Sequence, residues 1–168
     1  MAEILDKGQV SPLLALRRAF SMFPTGVVAM CALEDGKPLG MAVNSFTSVS
    51  LEPPLVSVCV ARTSTTWQRL DGMPRIGLSV LGHNQEVLSR NLAAKTGDRF
   101  ANARWRTNDD GAVFIEGATL WLDCAINARL PGGDHEIILL EVLSSELFSA
   151  TPPLVFHQSQ YLGLSVAS

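Results

Sequence analysis

The clearest pattern in the chain runs from Thr119 to Arg129. Leu120, Leu122, Cys124, Ile126 and Ala128 alternate there with Thr119, Trp121, Asp123, Ala125, Asn127 and Arg129. A period of two puts one set on each face of a strand, one face apolar and the other mixed. Pro131-Gly132-Gly133-Asp134 then reads as a turn, and Glu136–Phe148 as the returning strand. Upstream, Val27–Leu33, Pro38–Val43, Leu55–Ala61 and Arg75–Leu81 read as further short strands, the first two joined by the tight-turn pair Asp35-Gly36. Three stretches have helical spacing instead. Ser11 and Pro12 suit an N-cap and a first helical position, and Leu13, Leu16, Phe20 and Phe23 follow as one apolar stripe until Pro24 and Gly26 stop it. Ser64 caps a short helix through Leu70, and Asn84 caps another through Ala94 with Val87, Leu88 and Leu92 on its inner face. Lys95–Asp110 is polar and irregular, a surface excursion. Strands and helices do not alternate regularly, which argues against a doubly wound parallel sheet. The expectation is a mainly β protein, a closed or split antiparallel barrel with two or three flanking helices.

Two polar segments interrupt this apolar plan. Asn44–Ser50, NSFTSVS, carries an amide and four hydroxyls in seven residues between strands that read as buried. Ala61–Trp67, ARTSTTW, adds Thr63, Ser64, Thr65 and Thr66 just after the next strand. Small hydroxyls beside backbone N–H groups hold phosphates well. Two such segments at neighbouring strand ends would grip a phosphorylated, partly apolar ligand. Turns and caps account for either segment alone, and capping is the plainer role for Ser64. Pro53-Pro54 reads as turn punctuation.

Composition narrows the classes of function. The 168 residues are the length of one domain. Apolar residues make up 47% and charged residues only 17%, a low charge that implies surface covered by a partner chain. Net charge is −3, with no Lys/Arg cluster, so neither a nucleic-acid nor a membrane partner is expected. Cys31, Cys59 and Cys124 each sit in an apolar run and read as buried, reduced thiols. His83, His135 and His157 lack metal-ligand spacing, so no metal site is expected. Dinucleotide, P-loop and hydrolase-elbow fingerprints are all absent from the chain. Any reactive chemistry is therefore expected from a bound organic cofactor. MAEILDKG has neither a basic start nor a long apolar stretch, and no run approaches the ~20 residues that cross a bilayer, so a cytoplasmic protein is expected.

Read in order, six pieces form a further pattern: FPTGVVAM (Phe23–Met30), GMAVNSFTSVSLEPPLVSV (Gly40–Val58), TSTTW (Thr63–Trp67), GDRF (Gly97–Phe100), GDHEI (Gly133–Ile137) and PLVFHQSQY (Pro153–Tyr161). Together they resemble the flavin reductase family, the small reductase components of two-component flavin-dependent monooxygenases. NSFTSVSLEPP with Gly-Asp-His is the specific combination. The resemblance implies a Greek-key, flavin-binding split barrel that is homodimeric and uses NADH or NADPH to reduce FAD or FMN. The reduced flavin would then diffuse to a monooxygenase partner. It implies that Ala42, Val43, Asn44, Ser45, Phe46, Thr47, Ser48 and Ser50 line the isoalloxazine and ribityl chain. Arg62, Thr63, Ser64, Thr65 and Thr66 would meet the flavin phosphate, with Arg99 and Phe100 at its outer side. Thr25 and Gly26 would border the reacting rings, Tyr161 belongs to the cofactor-binding set, and His135 is the catalytic candidate beside the nicotinamide.

The competing role for His135 is a cap on its turn. Leu140, Gln158-Ser159-Gln160 and Gly77-Leu78-Ser79 depart from the family pattern and leave the pyridine-nucleotide side open. Arg62, Arg99 and Arg129 are each conceivable partners for a 2′-phosphate. His83 reads as a surface or capping residue, His157 as structural with the pocket border as its alternative, and Trp121, on the mixed face, as a candidate for a dimer interface. Hydride transfer from nicotinamide to flavin needs positioned rings and no protein acid or base, so the missing catalytic dyad fits. Two alternatives stand beside a reductase: a non-catalytic flavin carrier or sensor, and a flavoprotein that keeps its flavin tightly bound and reduces another acceptor.

Overall fold

The computed structural model describes residues 11–148 and 150–164; the MAEILDKG stretch lies outside them. The elements in chain order are α1 (Pro12–Phe20), β1 (Thr25–Gly26), β2 (Val28–Glu34), β3 (Lys37–Val43), β4 (Thr47–Leu51), β5 (Pro54–Ala61), α2 (Thr65–Leu70) and β6 (Ile76–Val80). They continue as α3 (Glu86–Ala93), β7 (Trp105–Thr107), β8 (Val113–Ile115), β9 (Leu120–Gly132), β10 (His135–Leu147), β11 (Leu154–His157) and β12 (Gln160–Gly163). Seven strands form one antiparallel sheet in the order β3-β2-β6-β9-β10-β5-β4, beside a β1-β11-β12 sheet and a β7-β8 hairpin. No helix among the described residues is long and apolar enough to cross a membrane.

Strand β2 explains why the sheet curls. Val28 to Ala32 are all buried, so the strand is covered on both faces. That is why VVAMCAL reads as an unbroken apolar run rather than an alternation. Val28, Met30 and Ala32 join Leu39, Val58, Leu78, Leu122, Ile138 and Leu140 inside the curled sheet. Ala29 and Cys31 face the other way, into a second core with Leu81, Leu92, Val113, Ile115 and Leu154. The seven strands thus wrap one core while α3, β8 and β11 build another outside β2. Strands β3 and β4 are the two ends of this sheet and do not pair with each other.

Several expectations change in the structure. The polar stretch Asn44–Ser50 contains a strand, β4, which pairs with β5 through Thr47↔Ser57 and Ser48↔Val56. Hydroxyl-rich sequence hid it, because an edge strand keeps one side exposed. The excursion Lys95–Asp110 contains β7, and the C-terminal segment folds as the β11–β12 hairpin. Helix α3 is not capped by Asn84: Gln85 stands at its N-cap and spends its side chain elsewhere, accepting from Gly82 N and donating to Glu116 O, both at 2.8 Å. Val87 points outward at 71% exposure, leaving Leu88 and Leu92 on the packed face. Cys59 is exposed, because Val56, Val58 and Val60 take the inward positions of β5 and period two turns Cys59 out. Apart from these changes, the half-buried Trp121 ring stacks on Phe114 at 5.4 Å and its Nε1 donates to Ile115 O at 2.7 Å.

Two departures from the family pattern are packing demands. Leu140 is fully buried in the barrel core. A Cβ on Gly77 would collide with the carbonyl oxygen of Val113, where β6 lies against β8. Gly77→Ala is therefore expected to cost about 3 kcal/mol, the upper end for overpacking, read as a lower urea midpoint, since the obstruction is backbone and cannot turn aside. A midpoint equal to wild type would show that β8 does not pack there.

Candidate functional site

The site begins where the chain passes from one open edge of the sheet to the other. Strand β3 ends at Val43 and β4 starts at Thr47, so Asn44, Ser45 and Phe46 link the two unpaired edges. Ser45 fixes this link: its hydroxyl accepts from Cys59 N at 2.8 Å and donates to Cys59 O at 3.0 Å. Phe46 packs against the barrel core. Asn44, Thr47 and Ser48 stay exposed, and the register slips between Ser48 and Ser50. The outer edge of β4 carries unpaired backbone donors and acceptors beside those hydroxyls.

A second group of residues closes around β3 and α2. Ser64 Oγ accepts from Trp67 N at 3.1 Å, so capping claims this hydroxyl. Arg99 donates from one nitrogen to Gly40 O at 3.1 Å and to Thr66 Oγ1 at 2.6 Å, which ties the GDRF loop to both elements. Gly40 cannot carry a side chain, because a Cβ would collide with Cys31 Sγ and meet Phe100 Cζ at 3.1 Å. A cavity of about 320 Å³ opens here, lined by Gly40, Thr65, Thr66, Lys95, Arg99 and Phe100. Its cations suit a phosphate.

The third group sits at the far end of β5. His135 pairs with Ala61 across the sheet, and Arg62 N donates to Asp134 O at 3.1 Å, so the Gly133-Asp134 turn meets the start of the ARTSTTW segment. His135 Nδ1 lies 2.8 Å from Asp134 Oδ1, and the ring remains 45% exposed. The hydrogen bond to His135 and its charge hold the Asp134 carboxyl below its ordinary range. A depressed carboxyl favours the fold above its ordinary range and loses that favour as pH falls from there through the lowered value, an effect that solvent screens at so exposed a side chain. Thr25 Oγ1 is buried with no partner, and a Cβ at Gly26 would meet nothing within 4 Å. Successive strand residues face opposite ways, so the open side at Gly26 is not the side on which the Thr25 hydroxyl is buried.

Residues 20–165 match the family described as the flavin reductase like domain. A flavin reductase of Pseudomonas putida is 37% identical over 150 residues, 89% of this chain and 88% of that protein. An NADH-dependent FAD reductase of Streptomyces globisporus is 39% identical over 166 residues, 95% of this chain and 88% of its own. The solved structure of the Streptomyces globisporus NADH:FAD oxidoreductase SgcE6, in complex with NAD and FAD fragments, aligns with a TM-score of 0.88, covering 98% of each chain at 38% identity. The chain belongs to the flavin reductase family.

The flavin reductase fold divides the expected residues among separate places. Arg99, Phe100, Thr65 and Thr66 share one cavity. Ala42, Val43, Asn44 and Tyr161 line another of about 190 Å³, where the Tyr161 hydroxyl lies 2.8 Å from Ser89 Oγ. Arg62 and Thr63 are exposed at the strand end, and Ser50 caps its own turn by accepting from Glu52 N at 3.2 Å. Arg129 is drawn away to Asp71, which removes it as a phosphate partner. Residues missed in the sequence are Gly40, whose need for no side chain comes from Cys31 on β2, and Lys95, two positions before the GDRF piece. Burial pushes the Cys31 and Cys124 thiols up to about 12, so neither serves as a nucleophile. No metal-binding group of three His, Cys, Asp or Glu exists among the described residues.

Thr25→Val tests the orphaned hydroxyl. Losing an unsatisfied buried group is expected to stabilise the ligand-free protein by about 1 kcal/mol in urea. A loss of stability would mean that Thr25 already has a partner.

Proposed function

We propose that this flavin reductase passes hydride from NADH to free FAD and releases reduced flavin for a separate monooxygenase. The observation that carries this reading is the Asn44–Phe46 link between the two open sheet edges, braced by Ser45 on Cys59 and continued by the exposed hydroxyls of β4. Small side chains there let a flat ring reach the backbone, and edge N–H groups offer donors to its carbonyl and nitrogen rim. The Arg99–Thr66 cavity takes the phosphate end, with Lys95 as a second cation. Names borne by the Streptomyces relative support NADH and FAD over NADPH and FMN.

When bound together, nicotinamide and flavin would supply the hydride chemistry, and alignment of the two rings alone would lower the barrier by about 7 kcal/mol in a favourable case. The chain's residues then have to hold and orient. His135, half exposed and fixed at Nδ1 by Asp134, leaves its other nitrogen for the nicotinamide carboxamide. Thr25 and Gly26 border the reacting rings. A homodimer fits the exposed apolar residues: Leu13, Phe20 and Phe23 are 72–75% exposed, and Leu147 is 75% exposed.

Steady-state oxidation of NADH and NADPH in air, with FAD or FMN added or withheld, tests the reading. Turnover that saturates in free flavin is expected, with NADH and FAD preferred. No turnover despite flavin binding would leave a carrier. His135→Ala is expected to raise the KM for NADH about tenfold while the KM for flavin stays within about twofold. Equal loss of both, together with a lower melting temperature, would make His135 a turn cap.

A further inference from the structure

Helix α3 turns an organised face toward strand β12. Glu86, Ser89, Arg90 and Ala93 fall three and four residues apart, the spacing that stacks side chains on one side of a helix. Ser89 is 1% exposed, and its Oγ lies 2.8 Å from the Tyr161 hydroxyl, so the two form a buried polar pair. The Arg90 guanidinium carbon stands over the same ring, 4.8 Å from its centroid, a cation–π contact. Glu86 Oε1 holds that guanidinium by accepting from Nε at 3.0 Å and from Nη2 at 2.8 Å. Phe156 on β11 meets the ring with centroids 5.1 Å apart. The phenol is therefore fixed at its hydroxyl by one helix residue and at its ring by two further side chains.

Strand β12 needs such a hold. It pairs with β11 alone and is an outer strand of the β1-β11-β12 sheet. Its other edge has no strand to set its position, and α3 supplies the attachment through Ser89. The held ring is also a wall. Tyr161, Ser89 and Ala93 share the cavity of about 190 Å³ with Ala42, Val43 and Asn44. Asn44 opens the link between the two sheet edges on which the proposed flavin site is built. Nothing in the sequence pattern gave α3 a part in that site.

We propose that Ser89 is a positioning residue of the flavin site: its hydrogen bond fixes Tyr161 as a wall of the cavity at Asn44, with Arg90 supporting the ring. This rests on the reductase reading above. A ring left free to change rotamer would have to be ordered when flavin binds, and that ordering is subtracted from affinity. A ring already held carries no such cost. The competing role for the pair is to fasten the β11–β12 hairpin to α3, which would show in stability and leave flavin affinity alone.

The experiment measures the binding of FAD and of FMN, by quenching of flavin fluorescence, to wild type, Ser89→Ala, Tyr161→Phe and the double variant. NADH turnover and thermal midpoint are recorded beside it. Either single substitution removes the same hydrogen bond, so each is expected to weaken flavin binding about fivefold. The double variant is expected to be no weaker than Ser89→Ala, because the two residues act as one pair. In Ser89→Ala, kcat at saturating flavin and the KM for NADH are expected to stay within about twofold of wild type. Arg90 is 59% exposed, so Arg90→Met gives a second arm that leaves the midpoint in place. It is expected to weaken flavin binding about threefold, and Arg90→Lys to recover it. Flavin affinity in Ser89→Ala equal to wild type overturns the proposal, and if Ser89→Ala does not fold, equal affinity in Arg90→Met does so. Wild type that still turns over in that case leaves the reductase reading standing. Affinities that move as expected, in a protein whose wild type shows no NADH-driven flavin reduction, would keep the role of Ser89 and overturn the reductase reading instead.

Discussion

Everything in this fold leans on the burial of β2 on both faces. Val28 and Met30 point into the barrel, while Ala29 and Cys31 point into the core under α3 and β8. An ordinary half-buried strand would need covering on one side only. Here the strand ties two hydrophobic cores to one backbone, so neither can shift without the other. Its partner β3 inherits the constraint. Cys31 fills the space beside Gly40, so that position admits no Cβ, and Phe100 comes down against the bare backbone. The GDRF loop then reaches β3, and Arg99 hydrogen-bonds Gly40 O. One wall of the cavity beside Arg99 is thus set by a thiol in a core strand.

The same rigidity suits the chemistry. A step that depends on stacking two flat rings needs fixed walls more than it needs a base. The structure supplies walls: two sheet edges, a link pinned by both polar atoms of one backbone residue, and a hairpin turn fixed by Asp134 and His135. Groups that might bring competing reactivity are kept out of play. The Cys31 and Cys124 thiols are buried and protonated, and no metal-binding cluster is present among the described residues. Exposed Cys59 faces away from the core, with its backbone occupied by Ser45.

The long periodic elements were legible because burial wrote them directly into the sequence. β9 alternates cleanly, and α2 announces its cap at Ser64. What escaped was written by exposure or by contacts distant in sequence. β4 hid behind hydroxyls because an edge strand has one dry side at most. The β11–β12 hairpin turns at Gln158-Ser159, a pair with no glycine to mark it. Gln85 in place of Asn84 at α3 could not be foreseen, since its true partners are Gly82 and Glu116, the latter 31 residues away. The inward face of α1 misled for a related reason: the apolar stripe was real, but the helix presents it to the outside.

The site residues show most sharply what a motif conceals. NSFTSVS and TSTTW look uniform in sequence, a run of interchangeable small polar side chains. In the fold they divide. Ser45, Ser50, Ser64 and Thr66 already have partners in the protein: Cys59, Glu52, Trp67 and Arg99. Thr47 and Ser48 stay exposed, and Thr25 Oγ1 is buried without a partner. A hydroxyl satisfied by the backbone holds the shape of the site, and breaking that bond costs about 1 kcal/mol plus the distortion that follows. A hydroxyl without a partner has its bonding capacity left for a ligand. The two kinds are chemically identical and alternate along the same few residues, so spacing cannot separate them. Only the hydrogen-bond ledger of the folded chain does: it shows the Ser45 and Ser64 hydroxyls held by backbone and leaves Thr47, Ser48 and half of the His135 ring exposed.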